Sequence, residues 1–172
     1  MVKATRLQLT SGSRPSVMIP RGAPRKYEMA ILRINRPFIG KNHTLGHPQI
    51  DSDHFAIADW WMKVTLCRPL ALPFHIAGLR RTMRGHFNRE AALVEATGTP
   101  FCCGHHREHD TMLELCDEAY ELSARSLRKA RAVLRDKLPR LMRDHINSMD
   151  QIAVLIIRAA TQDRAASIVP CR

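Results

Sequence analysis

Residues 101–116 read Phe-Cys-Cys-Gly-His-His-Arg-Glu-His-Asp-Thr-Met-Leu-Glu-Leu-Cys. Cys102, Cys103, His105, His106, His109 and Cys116 place six candidate metal ligands within fifteen positions. Zinc takes four such groups in a tetrahedron, as thiolate sulfur or imidazole nitrogen. The set expected here is Cys103, His106, His109 and Cys116, closed around a structural zinc with no open position. Its spacing matches no standard finger, and a polar turn before a helix is the competing reading. A metal-dependent enzyme or zinc-binding regulator built on 102–116 is therefore an alternative function. A second group, His43, His47, Asp51, Asp53 and His54, has the types needed to hold a metal for phosphodiester cleavage. A polar loop is the simpler reading of that run.

Other enzyme signatures do not hold up. Gly40-Lys41-Asn42-His43-Thr44 lacks the upstream glycines of a phosphate loop. In His105-His106-Arg107-Glu108-His109 the glutamate directly precedes the last histidine, which spoils its use as a base in a His-Glu-x-x-His site. Ser126 and Lys129 have Ser-x-x-Lys spacing without the rest of that active site. The chain reads as a non-enzymatic protein with no small-molecule substrate.

Charge points to a partner. The 172 residues include 27 Lys or Arg against 16 Asp or Glu, a formal net charge of +11. Residues 1–50 hold nine of the bases and a single acid, Glu28. Arginine forks match phosphate oxygens two at a time. The expected phosphate contacts are Arg21, Arg25 and Lys26 in the arm, Arg80, Arg81 and Arg84 on one helix, and Arg125, Arg128, Lys129, Arg131 and Arg135 on another. Such a surface binds RNA or DNA through the backbone, without reading sequence and with strong salt dependence. Acids preceding bases along a helix also suit the helix dipole, so part of this pattern is ordinary helix stabilisation. The function expected is nucleic-acid binding with self-assembly into a homo-oligomer, in an accessory or matrix-like role. A membrane-associated structural protein of viral matrix type, lying on an anionic membrane surface, is a further alternative.

The elements that must position these groups come next. Residues 1–26, with Gly12, Pro15, Pro20, Gly22 and Pro24, read as a basic arm, and 27–172 as one domain. Tyr27 to Ile34 is apolar enough for a strand. In 54–67, Ala56, Ala58, Trp60, Met62, Val64 and Leu66 alternate as in a half-buried strand. After Pro73 the spacing becomes helical. Thr111 and Glu114 fit a capping box opening a long helix that Pro139 kinks or ends. Ser148 and Gln151 suggest another box, leading into an apolar segment expected to be buried on all sides. The fold class expected is α+β, a small antiparallel sheet of N-terminal strands followed by three or four helices.

Five unevenly spaced cysteines argue against a disulfide framework. No apolar run approaches the roughly 20 residues of a membrane span, and no secretory signal is evident. These features point to an intracellular protein, in cytoplasm or nucleus.

Overall fold

The computed structural model describes residues 44–167, and side chains as far as Arg164. The expected arm and the strand at 27–34 lie outside them. The described residues contain helices and no strand, so the α+β expectation is corrected to a bundle of four helices. No helix among them is long and apolar enough to cross a membrane.

The first helix, α1 (Pro48–Leu66), replaces the strand expected at 54–67. Its buried residues are Ile50, Asp53, His54, Ile57, Ala58, Trp61 and Val64. That spacing of three and four is one face of a helix. Two polar members, Asp53 and His54, interrupt the apolar stripe and let the alternation of small apolar residues look dominant. Pro48 suits the first turn. Asp51 fixes the entry, its carboxylate accepting from the Leu45 and Gly46 amides at 2.7 and 2.9 Å. Gly46 sits there at φ +74°, where a side chain is disfavoured.

Helix α2 (Leu72–Glu95) carries Pro73 in its first turn, where the sequence placed the proline. It buries Leu72, Ile76, Leu79, Met83, His86, Phe87, Glu90 and Val94. Helix α3 (Cys103–Ser123) begins eight residues before the expected box. Thr111 lies inside it and donates its hydroxyl to the Arg107 carbonyl. The fourth helix runs through 127–167 as α4 (Leu127–Ala132), α5 (Leu138–His145) and α6 (Gln151–Ser167), joined by π-turns at Val133–Lys137 and Ile146–Asp150. Ser126 caps its start by accepting from the Lys129 amide.

The first π-turn answers Pro139. That residue has no N–H, and its ring would crowd the Arg135 carbonyl in a regular helix. Widening the turn keeps the chain helical instead of ending it. Leu134, five residues before Pro139, gives its carbonyl to Trp61 Nε1 at 2.8 Å, which pins α1 to the fourth helix. Ser148 caps nothing; its hydroxyl donates to the Asp144 carbonyl. Nor is α6 buried all round: Ala153, Val154 and Ile157 face inward, while Ile152 and Leu155 are exposed.

Successive helices pack side by side, with α6 returning against α2. Short connections make them antiparallel neighbours. The Trp60 ring lies flat against Gly78 on α2, where a Cβ would come within 2.4 Å of it. We expect Gly78→Ala to lower stability by about 1–3 kcal/mol, as overpacking does. A denaturant titration with an unchanged midpoint would show that the ring can simply move away.

Candidate metal centre

The bundle interior is not uniformly apolar. Asp53, His54, His86, Glu90, His105, His109, His145 and Asp150 are all buried. Five helical segments supply them, and helical spacing explains most of the convergence. His86 and Glu90 are four apart on α2, and His105 and His109 are four apart on α3, so each pair shares a face. His145 and Asp150 are five apart, which would place them about 140° from each other around a regular helix of 3.6 residues per turn. The second π-turn, Ile146–Asp150, hydrogen-bonds at a five-residue step and returns Asp150 to the face of His145.

The ligating atoms fall into two groups that share Asp150. One comprises Glu90, His105, His109, His145 and Asp150; the other comprises His54, His86 and Asp150. In the first, His145 Nε2 lies 3.2 Å from His105 Nε2 and 3.0 Å from His109 Nε2. Asp150 Oδ1 is 2.9 Å from His145 Nε2, and Glu90 Oε2 is 3.2 Å from His105 Nε2 and 3.4 Å from His109 Nε2. In the second, Asp150 Oδ2 is 2.9 Å from His54 Nε2. The two oxygens of one carboxylate thus address different groups.

Hydrogen bonding accounts for only part of this packing: His145 Nε2 is within hydrogen-bond distance of His105 and His109, but other polar atoms of the cluster have no partner among the described residues. Both oxygens of Asp150, both of Glu90 and both nitrogens of His54 and His86 are buried without a hydrogen-bond partner among the described residues. Close approaches such as His54 to Asp150 are short but badly angled for N–H donation. Each orphaned buried polar group costs about 1–3 kcal/mol, and native proteins keep very few. Metal ions remove the difficulty. Two imidazole nitrogens about 2.1 Å from one ion and at right angles sit about 3.0 Å apart. That is the separation found, and it suits an octahedral ion better than a tetrahedral one.

Aromatic rings wall the centre. Phe87 stacks on His109 at 3.8 Å between centroids, and Phe101 stacks on His105 at 4.4 Å. His145 donates from Nδ1 to Glu108 at 2.7 Å, which leaves Nε2 a lone pair directed inward.

In the metal-free protein these groups share protons. Burial alone would raise Glu90, yet His105 and His109 hold it below the usual carboxylate range. Burial would likewise raise Asp150, but His105, His145 and His54 keep it well below that range. His105 is disfavoured as a cation by burial, and Asp150 and Glu90 outweigh this and lift it to about 9. His145 is raised against burial by Asp150 and Glu108. Burial pushes His109 down to about 4, aided by repulsion from His145 and His105.

The set expected from sequence does not assemble in the same way. Of Cys103, His106, His109 and Cys116, only His109 joins a convergent group. Cys103 and His106 are exposed. Cys116 is buried against Met83, with 3.8 Å between the sulfurs. From the second sequence cluster, His54 joins a convergent group, Asp53 packs behind it, and His47 and Asp51 shape the start of α1. His43 is outside the described residues. Sequence reasoning missed His86, Glu90, His145 and Asp150 altogether. For His86 and Glu90 the available signal was a His-x-x-x-Glu step matching the His-x-x-x-His step of His105 and His109 on another helix; His145 and Asp150, five apart, gave none.

The thiols differ in reactivity. Burial pushes Cys116 up to about 12, whereas Cys102 is exposed and lowered by the His105 and Gly104 amides. Iodoacetamide at neutral pH should therefore label Cys102 and spare Cys116 in the folded chain. Mass spectrometry of digested protein showing equal labelling would contradict this.

Three of the expected phosphate contacts are engaged within the chain. Arg80 pairs with Asp117, Arg135 with Asp136, and Arg131 donates to the Cys67 carbonyl. Arg81, Arg84, Arg125, Arg128 and Lys129 are exposed. Arg21, Arg25 and Lys26 lie outside the described residues. No family model, curated protein or solved structure matches this chain.

Proposed function

We propose that this protein carries a dinuclear iron centre in the core of its bundle and uses it to bind a small ligand. The observation that carries the reading is Asp150, whose two buried oxygens face two separate sets of imidazoles. Glu90, His105, His109 and His145 complete the first position; His54 and His86 serve the second. Five ligand atoms around the first position exceed a tetrahedral zinc's complement. Imidazole suits iron, copper, nickel and zinc, whereas carboxylate favours harder ions; a mixed, thiolate-free set at octahedral spacing suits iron.

The second position has fewer protein ligands, so it is the one open to an incoming molecule. The ligand side chains are at most 5 % exposed, which restricts that molecule to a few atoms, such as dioxygen, nitric oxide or azide. Iron supplies one-electron chemistry and affinity for such ligands. The chain supplies orientation through the helix pairs and exclusion of bulk water through Phe87 and Phe101.

Elemental analysis of protein purified without chelator, or refolded with ferrous iron, tests this. About two irons per chain are expected, with an azide-dependent change in the visible spectrum. A folded chain that takes up no metal, or only zinc at one equivalent, overturns it.

Polyanion binding is a separate reading, supported by the net charge and by the exposed Arg81, Arg84, Arg125, Arg128 and Lys129. If it holds, changing Arg125, Arg128 and Lys129 together to Ala flattens the salt dependence of RNA or DNA binding. Binding with an unaltered salt slope would exonerate those residues.

A further inference from the structure

The two halves of the centre are supported differently. In the three-histidine half, His145 leans on Glu108, whose side chain is 44 % exposed. In the two-histidine half, His54 Nδ1 is buried with no hydrogen-bond partner among the described residues. His86 Nδ1 likewise makes no hydrogen bond among the described residues, but a carboxylate faces it: Asp53 Oδ2, 3.5 Å away. Asp53 is 7 % exposed and firmly held. Arg89 grips both its oxygens, Nε to Oδ2 at 2.9 Å and Nη2 to Oδ1 at 2.8 Å, and Gln49 donates to Oδ1 at 3.2 Å.

An ordinary ion pair between α1 and α2 would explain Arg89 and Asp53 but not the placement of His86. Asp53 adjoins the ligand His54 in sequence, and Arg89 lies between the ligands His86 and Glu90. A ligating histidine keeps its tautomer and ring angle through what its other nitrogen meets. We propose that Asp53, clamped by Arg89 and Gln49, is the positioning residue for the second ion, fixing His86 with Nδ1 protonated and Nε2 directed at the metal. This rests on the dinuclear reading. It adds that the two ions are held by independent supports, so that each can be weakened alone.

Loading the full chain with ferrous iron and following its release to a chelator separates the cases. Wild type should hold two equivalents. Asp53→Asn should release one of them about 10–100-fold faster, the usual effect of losing such a support, and keep the other at the wild-type rate. Arg89→Lys should fall between, because the charge remains and the two-pronged grip is lost. Glu108→Gln should loosen the opposite ion, giving a different residual spectrum for the one-iron form. Circular dichroism establishes that each variant is folded; should Asp53→Asn fail to fold, Arg89→Lys carries the test. Release of both ions at wild-type rates from folded variants overturns the positioning role and leaves the dinuclear centre standing. Equal acceleration of both ions also overturns it, since that is what a general loosening of the bundle does. Wild type that holds no second ion overturns both.

Discussion

Asp150→Asn should empty both metal positions, with a loss of affinity exceeding the roughly 100-fold that removal of a mere supporting group costs. The side chain keeps its shape but surrenders the charge, and one of its two oxygens becomes an amide. Asp150 Oδ1 lies 2.9 Å from His145 and Oδ2 lies 2.9 Å from His54, so either orientation of the amide turns N–H donors on one ion. Asp144→Asn provides the control. It lies on the same helix, exposed, and among the described residues its carboxylate pairs with Arg140 and Arg143. Metal analysis of the two variants side by side checks this. Two equivalents retained by Asp150→Asn would mean that the carboxylate bridges nothing.

Stripping the metal should be nearly as costly. An ion present at 100 times its dissociation constant adds about 2.7 kcal/mol to stability. For a chain of this size each kcal/mol moves the melting temperature by about 2–4 °C. Chelation should therefore lower Tm by about 5–11 °C for each ion removed, and adding iron back should restore it. A second readout is pH. Without metal, His105 holds its proton up to about 9, and binding must displace that proton. Affinity should thus rise with pH through neutrality and level off near 9, and acid should expel the metal. A melting curve indifferent to chelator, or an affinity flat between pH 6 and 9, would contradict a buried centre of this kind.

The reach of sequence reasoning is clearest on particular residues. The helix after Pro73 was legible because its apolar positions recur at helical spacing and its opening proline is local information. Helix α1 was misread for the opposite reason. Its buried face includes Asp53 and His54, and polar residues at core positions look like loop until something is known to bury them. Segment 101–116 is rich in residues able to ligate, yet its thiols divide between surface and core and only its histidines at 105 and 109 reach the cluster. The pairing of His145 with Asp150 was out of reach, since five residues is the wrong step for a regular helix and only a π-turn repairs it.

What the sequence by itself determined is the local chemistry: that a helix opens around Pro73, which residues are able to ligate, and how much positive charge the chain carries. What only the tertiary structure decided is the company those residues keep. Ligands from four helices, up to 96 positions apart between His54 and Asp150, meet because each helix must bury one face. A side chain on that face is carried into the core whatever its polarity, and carboxylates and imidazoles buried together there form a costly arrangement that a shared cation would relieve.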